Sequence, residues 1–249
     1  MKNILIYISP YKKFLDDGWG EVDKLVKIQI DNSLSLGWQR EDILLVTNFD
    51  YEYNGIKALV IGDENYCDFS PTASKINSII TLFDLGLIKD GIYWFHDLDA
   101  FQLTGITESE VEQELGDADM GITDYGLTTM NKLRNLRWST GTIFFKKGSK
   151  DIFDNWREEI YRYQANEEII LLEILKKKRN QSLIERIKRM NITYNLATRK
   201  RDIVFCYTQN KDFSKDFHYI NESSPIQGEN SKGPTKFCSP QPCFFLEKP

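Results

Sequence analysis

The first hundred residues alternate short apolar runs with longer amphipathic ones, and turn-forming residues mark nearly every switch. Asn3–Ile8 is an apolar run that enters Ser9-Pro10, as a buried strand running into a loop does. From Glu21 to Leu36, Val22, Leu25, Val26 and Ile30 recur at near-helical spacing, and the run stops at Gly37. Asp42–Thr47 reads as a second strand closed by the polar turn Asn48-Phe49-Asp50, and Lys57–Ile61 as a third. Ser70-Pro71 has the pattern of a helix N-cap with proline in the first turn; Ile76, Ile79, Ile80 and Phe83 then share one face up to Gly86. Ile92–His96 is a fourth strand, with Asp97-Leu98-Asp99 directly at its end. Strands alternating with helices predict an α/β fold whose sheet is covered by helices on both faces. Ligands of such sheets bind at the carboxyl ends of the strands, where Tyr7–Pro10, Asn48–Asp50 and the Asp97/Asp99 pair all fall.

The second half continues the pattern less regularly. Thr107-Glu108-Ser109-Glu110 is a capping-box start for a short helix. Asp119–Thr123 and Thr142–Lys146 read as strands around a polar loop, 124–140, of a length that is functional or mobile in compact domains. Asp151 to Gln164 is helical with Ile152, Phe153, Trp156 and Ile160 inward, and Glu167 to Arg179 is the next helix. Short strands are expected near Ile192–Leu196 and Ile203–Tyr207. From Asn221 onward Ser, Pro, Gly, Lys and Gln dominate, which predicts a loop-rich C-terminal tail. The expected organisation is one domain over residues 1–220, with a tail, 221–249, packed on or near the site.

A formal net charge of −5 argues against a nucleic-acid binder, which is usually basic overall. The charge is unevenly spread: residues 176–201 hold ten Lys/Arg against the single acid Glu185. Such a block suits a solvated helix face, an anionic membrane surface or a phosphate-rich acceptor. No apolar run approaches the roughly 18 residues that span a bilayer, and the N-terminal run is too short for a signal-peptide core. The expected setting is the cytoplasm, with weak membrane-surface contact through 176–201. Cys67, Cys206, Cys238 and Cys243 include one Cys-x4-Cys pair, too few ligands for zinc, so the cysteines read as thiols.

The chemistry concentrates on Asp97 and Asp99. Two carboxylates separated by one residue at the end of an apolar strand offer hard oxygen ligands suited to Mg²⁺ or Mn²⁺, with a phosphate completing the coordination. The competing reading is an Asp-rich turn that caps the next segment. His96 precedes the pair but alternates away from Asp97 on a strand, so it reads as structural.

The segment Tyr93-Trp-Phe-His-Asp-Leu-Asp-Ala100 resembles the strand-plus-Asp-x-Asp element of the GT-A fold nucleotide-sugar glycosyltransferases. Trp138-Ser-Thr-Gly-Thr-Ile-Phe-Phe145 is similar to their small-residue strand lining the donor sugar, and Asp151–Arg162 to the helix that follows it. Asn166-Glu-Glu-Ile-Ile-Leu-Leu172 resembles the acidic-Gln-Asp-aliphatic segment of the glycogenin-like retaining family, and Phe217-His218-Tyr219 the segment carrying that family's third metal ligand. The match covers residues 1–220 as an ordered series. It departs from the pattern in two places: Asn166-Glu167-Glu168 stands for Asp-Gln-Asp, and the Lys-Pro-Trp after the histidine is absent.

The resemblance implies a GT-A mixed sheet and a metal-dependent transferase moving a sugar from a nucleotide diphosphate donor, UDP-linked, with a lean toward retention. It implies Asp97, Asp99 and His218 as ligands of Mn²⁺ or Mg²⁺. Tyr7, Ser9, Asn48, Lys75, Asp97, Asp124, Thr140 and Gly141 would contact the donor. Glu167 or Glu168 would be the catalytic carboxylate, either sugar-binding in a retaining enzyme or the general base of an inverting one. The acceptor, whether glycan, protein or lipid, is expected along loop 124–140 and the basic stretch. A haloacid-dehalogenase-type phosphatase places its Asp-x-Asp at the first strand, whereas here it follows the fourth. A nucleotide- or glycan-binding protein without catalysis is the other alternative.

Overall fold

The computed structural model describes residues 1–10, 20–124, 138–177, 180–194, 196–197 and 219–221. Strand β1 (Lys2–Tyr7) is followed by helix α1 (Gly20–Ser35), β2 (Ile43–Thr47), a hairpin of β3 (Glu52–Tyr53) and β4 (Ile56–Lys57), and β5 (Leu59–Val60). Helix α2 (Ser74–Asp84), β6 (Tyr93–His96), β7 (Ala100–Gln102), α3 (Glu108–Leu115), β8 (Met120–Asp124) and β9 (Trp138–Phe145) come next. The described chain continues with α4 (Lys150–Tyr163), α5 (Glu167–Lys176), α6 (Gln181–Ile184), β10 (Ile187–Arg189), β11 (Leu196–Ala197) and β12 (Tyr219–Asn221).

Seven strands form one sheet in the order β10-β8-β9-β6-β1-β2-β5. Strand β9 is antiparallel to β6 and β8, and the other pairs are parallel, so the sheet is mixed as expected. Strand β1 lies between two parallel neighbours, Ile4 standing opposite Leu44 and Phe95. Covered on both faces, it has no solvent side to make polar, which is why its sequence is nearly continuous in apolar residues.

Helices cover both faces. Ile76, Ile79 and Ile80 of α2, Phe153 and Trp156 of α4 and Ile170 and Ile174 of α5 pack with Ile4, Phe95, Ile122 and Ile143 of the sheet. On the opposite face Val26 and Ile30 of α1 cover Leu5, Tyr7 and Leu45, while Val111 and Leu115 of α3 cover Trp94 and Phe144. Full burial of a large side chain such as Trp156 contributes about 1.5–3 kcal/mol.

Several boundaries differ from the sequence reading, each for a physical reason. Pro71–Ala73 is a 3-10 turn and α2 starts only at Ser74; the Ser70 side chain makes no capping bond. Ser74 Oγ instead accepts from the Cys67 backbone N–H at 2.9 Å, tying down the loop before the helix. The expected strand Lys57–Ile61 is divided between β4 and β5, because Asn54 and Gly55, both at positive φ, close a two-residue hairpin from Glu52 to Lys57. Strand β9 begins at Trp138, before the expected Thr142, and α5 ends at Lys176 before the expected Arg179. The basic stretch then includes an edge strand, β10, whose exposed Lys188 and Arg189 protect the sheet edge from further pairing. The expected strand Ile192–Leu196 is a 3-10 turn, Ile192–Tyr194, followed by β11. Loop residues 125–137, the expected strand Ile203–Tyr207 and the tail beyond Asn221 lie outside the described residues.

Strand β7, directly after Asp99, leaves the main sheet and pairs antiparallel with β12, Ala100 opposite Asn221 and Gln102 opposite Tyr219. The end of the described chain is thereby joined to the Asp-x-Asp segment. Among the described residues no helix is long and apolar enough to cross a membrane.

Candidate active site

Because α2 begins at Ser74, Lys75 lies in its first turn, with a side chain only 7% exposed. Its ammonium donates to Asp97 Oδ1 at 3.0 Å, to Asp97 Oδ2 at 3.3 Å and to the Thr140 carbonyl at 3.3 Å. It also pairs with Glu167 Oε1 at 3.2 Å. Burial alone would lower the Lys75 pKa, but Asp97, Glu167 and Glu168 outweigh it and hold the group charged, above its ordinary value. Asp97 is shifted upward by burial, against the opposing pull of Lys75.

Helix α5 brings two acids to the same place. Asn166 caps it, Oδ1 accepting from the Glu168 backbone N–H at 2.8 Å, and acids in a first turn suit the helix dipole. Glu167 is 2% exposed and both its oxygens are engaged: Oε1 by Lys75 and by Thr140 Oγ1 at 3.2 Å, Oε2 by Thr72 Oγ1 at 2.6 Å. Trp156 Nε1 donates to the Glu167 carbonyl at 2.9 Å and fixes the start of α5 against α4. Glu168 is half-buried; its Oε1 accepts from Thr140 N at 3.0 Å and Thr140 Oγ1 at 3.3 Å.

An irregularity in the sheet makes this convergence possible. Between β8 and β9 the register passes from Ile122 opposite Ile143 to Thr123 opposite Ser139. Thr140, Gly141 and Thr142 therefore bulge out of the β8 ladder, which turns Thr140 toward α5 while the Gly141 carbonyl accepts from Asp97 N at 2.9 Å. Asp97, Leu98 and Asp99 are half-buried at the carboxyl end of β6. His96 is 1% exposed, and burial lowers its pKa to about 3, so the ring is neutral.

The remaining sequence candidates are placed as follows. Asn48 joins the ends of β1 and β2: its Oδ1 accepts from Ser9 N at 2.9 Å, and its Nδ2 donates to Ser9 O at 2.7 Å and Asp63 Oδ1 at 2.9 Å. The Tyr7 ring is 1% exposed and packs edge-on against Phe49 and Tyr51, with centroids 4.9 and 5.8 Å away. Asp124 is the last residue of β8, opposite Trp138, and its side chain lies outside the described residues. His218 also lies outside them, immediately before β12. Among the described residues no group of three His, Cys, Asp or Glu forms a cation cage; Asp97 and Asp99 supply hard oxygen donors of the right chemistry for Mg²⁺ or Mn²⁺. A polar groove of about 600 Å³ between α2 and α4, lined by Asn65, Asn77, Thr81 and Tyr161, includes none of these carboxylates.

Two contributors had no role in the sequence reading. Thr72 carries no local signal, since its partner is 95 residues away. Gln29, fully buried on the inward stripe of α1 beside Val26 and Ile30, was legible as a polar residue at an apolar position.

The fold is shared with solved glycosyltransferases. A glycosyltransferase involved in glycosylation of the major capsid of PBCV-1 is 8% identical, with a TM-score of 0.55, covering 90% of this chain and 95% of that one. The galactosyltransferase LgtC, solved with donor and acceptor sugar analogues, is 12% identical with a TM-score of 0.53, covering 90% and 88%. The glycosyltransferase GlyE of Streptococcus pneumoniae TIGR4 is 11% identical with a TM-score of 0.51, covering 90% of this chain and 55% of its own. No protein-family model matches the sequence, and no curated protein matches it either. The architecture is the GT-A glycosyltransferase fold that the Asp-x-Asp resemblance implied.

Proposed function

We propose that this protein is a glycosyltransferase that moves a sugar from a nucleotide diphosphate donor, UDP-linked, to an acceptor, with Mn²⁺ or Mg²⁺ bound. The observation that supports this best is the meeting of Asp97, Glu167 and Glu168 around Lys75 and Thr140 at the carboxyl edge of a GT-A sheet. Asp97 and Asp99 would hold the cation, with His218 as third ligand; β12 pairing with β7 supports bringing that part of the chain near Asp99. When bound, a divalent cation neutralises the negative charge that develops on the departing diphosphate.

Within this reading Lys75 opposes the upward shift that burial imposes on Asp97, orients its carboxylate, and offsets the charge of Glu167 inside the protein. Glu167 is fully engaged by protein groups, so the catalytic carboxylate, sugar-binding in the retaining reading, is assigned to Glu168, held by Thr140 at the rim of the same cluster. Tyr7, Ser9 and Asn48 form the floor under the nucleoside, while Thr140, Gly141 and Asp124 line the sugar. We favour retention of the anomeric configuration. The acceptor would approach along 125–137 and the basic stretch, of which Lys188 and Arg189 are exposed. The protein would work in the cytoplasm, in weak contact with anionic surfaces.

The test is release of nucleotide from a panel of UDP- and GDP-sugars with and without Mn²⁺, followed by NMR of the product anomer. Mn²⁺-dependent release from a UDP-sugar with a retained anomer is expected. Release that ignores the metal, or an inverted product, contradicts the metal or the retention reading respectively.

A further inference from the structure

Gln29 of α1 reaches the Asp97–Ala100 turn from outside the sheet. Gln29 is 0% exposed, and its Nε2 donates to the Leu98 carbonyl at 2.9 Å and to the Ala100 carbonyl. Both partners are carbonyl oxygens, which only accept, so the amide must present its two N–H bonds to them. The cost of that orientation is visible: Gln29 Oε1 is buried and has no hydrogen-bond partner among the described residues. Leaving such an acceptor unsatisfied costs about 1–3 kcal/mol, a cost that an apolar residue on this stripe would avoid.

The turn has other anchors as well, among them the Lys75 ammonium on Asp97 and the pairing of Ala100 with Asn221. Asp97 N is tied to Gly141 O at 2.9 Å, and Ala100 N closes on Asp97 O at 3.1 Å. The Leu98 side chain packs into the cluster of Tyr7, Val26 and Ile30. These fix the entry to the turn and its apolar residue. The peptide between Leu98 and Asp99, and the one following Ala100, are fixed by Gln29. The Leu98 carbonyl belongs to the peptide entering Asp99 and the Ala100 carbonyl lies one residue beyond it, so Gln29 holds the backbone on both sides of Asp99.

We propose that Gln29 is a positioning residue, which sets the bite of Asp97 and Asp99 for a divalent cation carrying a nucleoside diphosphate. The inference rests on the proposed function of this pair. Partners that orient metal ligands from outside typically account for about 10–100-fold in metal affinity. Gln29→Met keeps the volume and removes both donors; Gln29→Glu keeps the shape but turns a carboxylate on two carbonyls.

Calorimetric titration of UDP into the full-length protein, with and without Mn²⁺, separates positioning from a merely structural role. In Gln29→Met the tightening of UDP binding by Mn²⁺ should fall by about tenfold or more, with metal-free UDP binding unchanged within about twofold. Asn32→Ala removes another tie from α1 to the same segment, the 2.9 Å bond from Nδ2 to the Gln102 carbonyl, and should leave the Mn²⁺ effect intact. If Gln29→Met fails to fold, Gln29→Glu carries the same measurement. An unchanged Mn²⁺ effect in the Gln29 variants, or an equal loss in Asn32→Ala, overturns the role of Gln29. A parent protein whose UDP binding ignores Mn²⁺ overturns the cation reading of Asp97 and Asp99, and the role of Gln29 with it.

Discussion

The ammonium of Lys75 lies 3.2 Å from Glu167 Oε1, joining the first turn of α2 to the first turn of α5 in a site where both side chains are less than a tenth exposed. The same ammonium holds Asp97, so one buried cation serves two carboxylates from different elements. Removing one member of a buried ion pair leaves uncompensated charge and costs about 3–5 kcal/mol. Lys75→Met should therefore lose about that much stability in urea unfolding and abolish metal-dependent UDP binding. A loss below about 1 kcal/mol would mean that the pair is not buried in solution.

Glu167 and Glu168 should separate kinetically. Glu167 is enclosed by Lys75, Thr140 and Thr72, whereas Glu168 stands at the rim. Glu168→Gln should reduce turnover by roughly a hundredfold or more, the scale of a lost catalytic carboxylate. Glu167→Gln keeps the shape and should reduce turnover by less than about tenfold. Nucleotide release under saturating donor measures both, and the reverse ranking would move the catalytic role to Glu167.

Arg186 gives a pH signature away from the site. Its Nη1 and Nη2 grip Asp151 at 2.7 and 2.9 Å, and its Nε holds Asp119 at 2.7 Å. The Arg186 bond, against the opposing effect of burial, holds the Asp151 pKa below its ordinary 3.8. A carboxylate whose pKa is depressed by folding contributes stability above its unfolded pKa, and that contribution is lost as pH falls through the folded value. The stability gap between the parent and Arg186→Met should be constant above about pH 5 and narrow as pH falls below the ordinary Asp value. It should also shrink with added salt, since Asp151 is more than half exposed. A gap that does not narrow at all on acidification would assign the loss to packing and to the Gly148 carbonyl bond.

The start of α3 tests local chemistry alone. Thr107 Oγ1 accepts from Glu110 N at 3.3 Å, and Glu110 Oε2 accepts from Thr107 N at 2.8 Å, the reciprocal capping box expected from the sequence. Thr107→Ala should cost about 1 kcal/mol of unfolding free energy with no effect on UDP binding. A change in binding would reveal a coupling between α3 and the site.

What was legible in the sequence was what period and punctuation encode. The inward face of α4 is the expected set, Ile152, Phe153, Trp156 and Ile160, each at most 2% exposed. Strand β6 ends at His96, directly before Asp97, because a strand buried on both faces must be apolar, and the first carboxylates mark where it leaves the core. The 3-10 turn at Pro71 was not legible, since serine followed by proline opens an α-helix and a 3-10 turn equally well. The Asn54-Gly55 hairpin carried its own signal, two residues able to adopt positive φ, between the stretches read as a turn (Asn48–Asp50) and a strand (Lys57–Ile61). The meeting of Lys75 with Glu167, and of Thr140 with Glu168, depends on a bulge between β8 and β9 and on the packing of α4 against both α2 and α5, which no local pattern encodes. The order of elements implied that these segments would share a site. It did not reveal that Lys75 faces protein carboxylates.

The central claim is that Asp97 and Asp99 hold a nucleoside diphosphate through a divalent cation. Its most direct test is the UDP affinity of the parent and of Asp99→Asn, measured with Mn²⁺ and with excess chelator. The account predicts that chelation and Asp99→Asn each weaken UDP binding by about tenfold or more, and that the two losses do not add. Equal UDP affinity in all four measurements would contradict it.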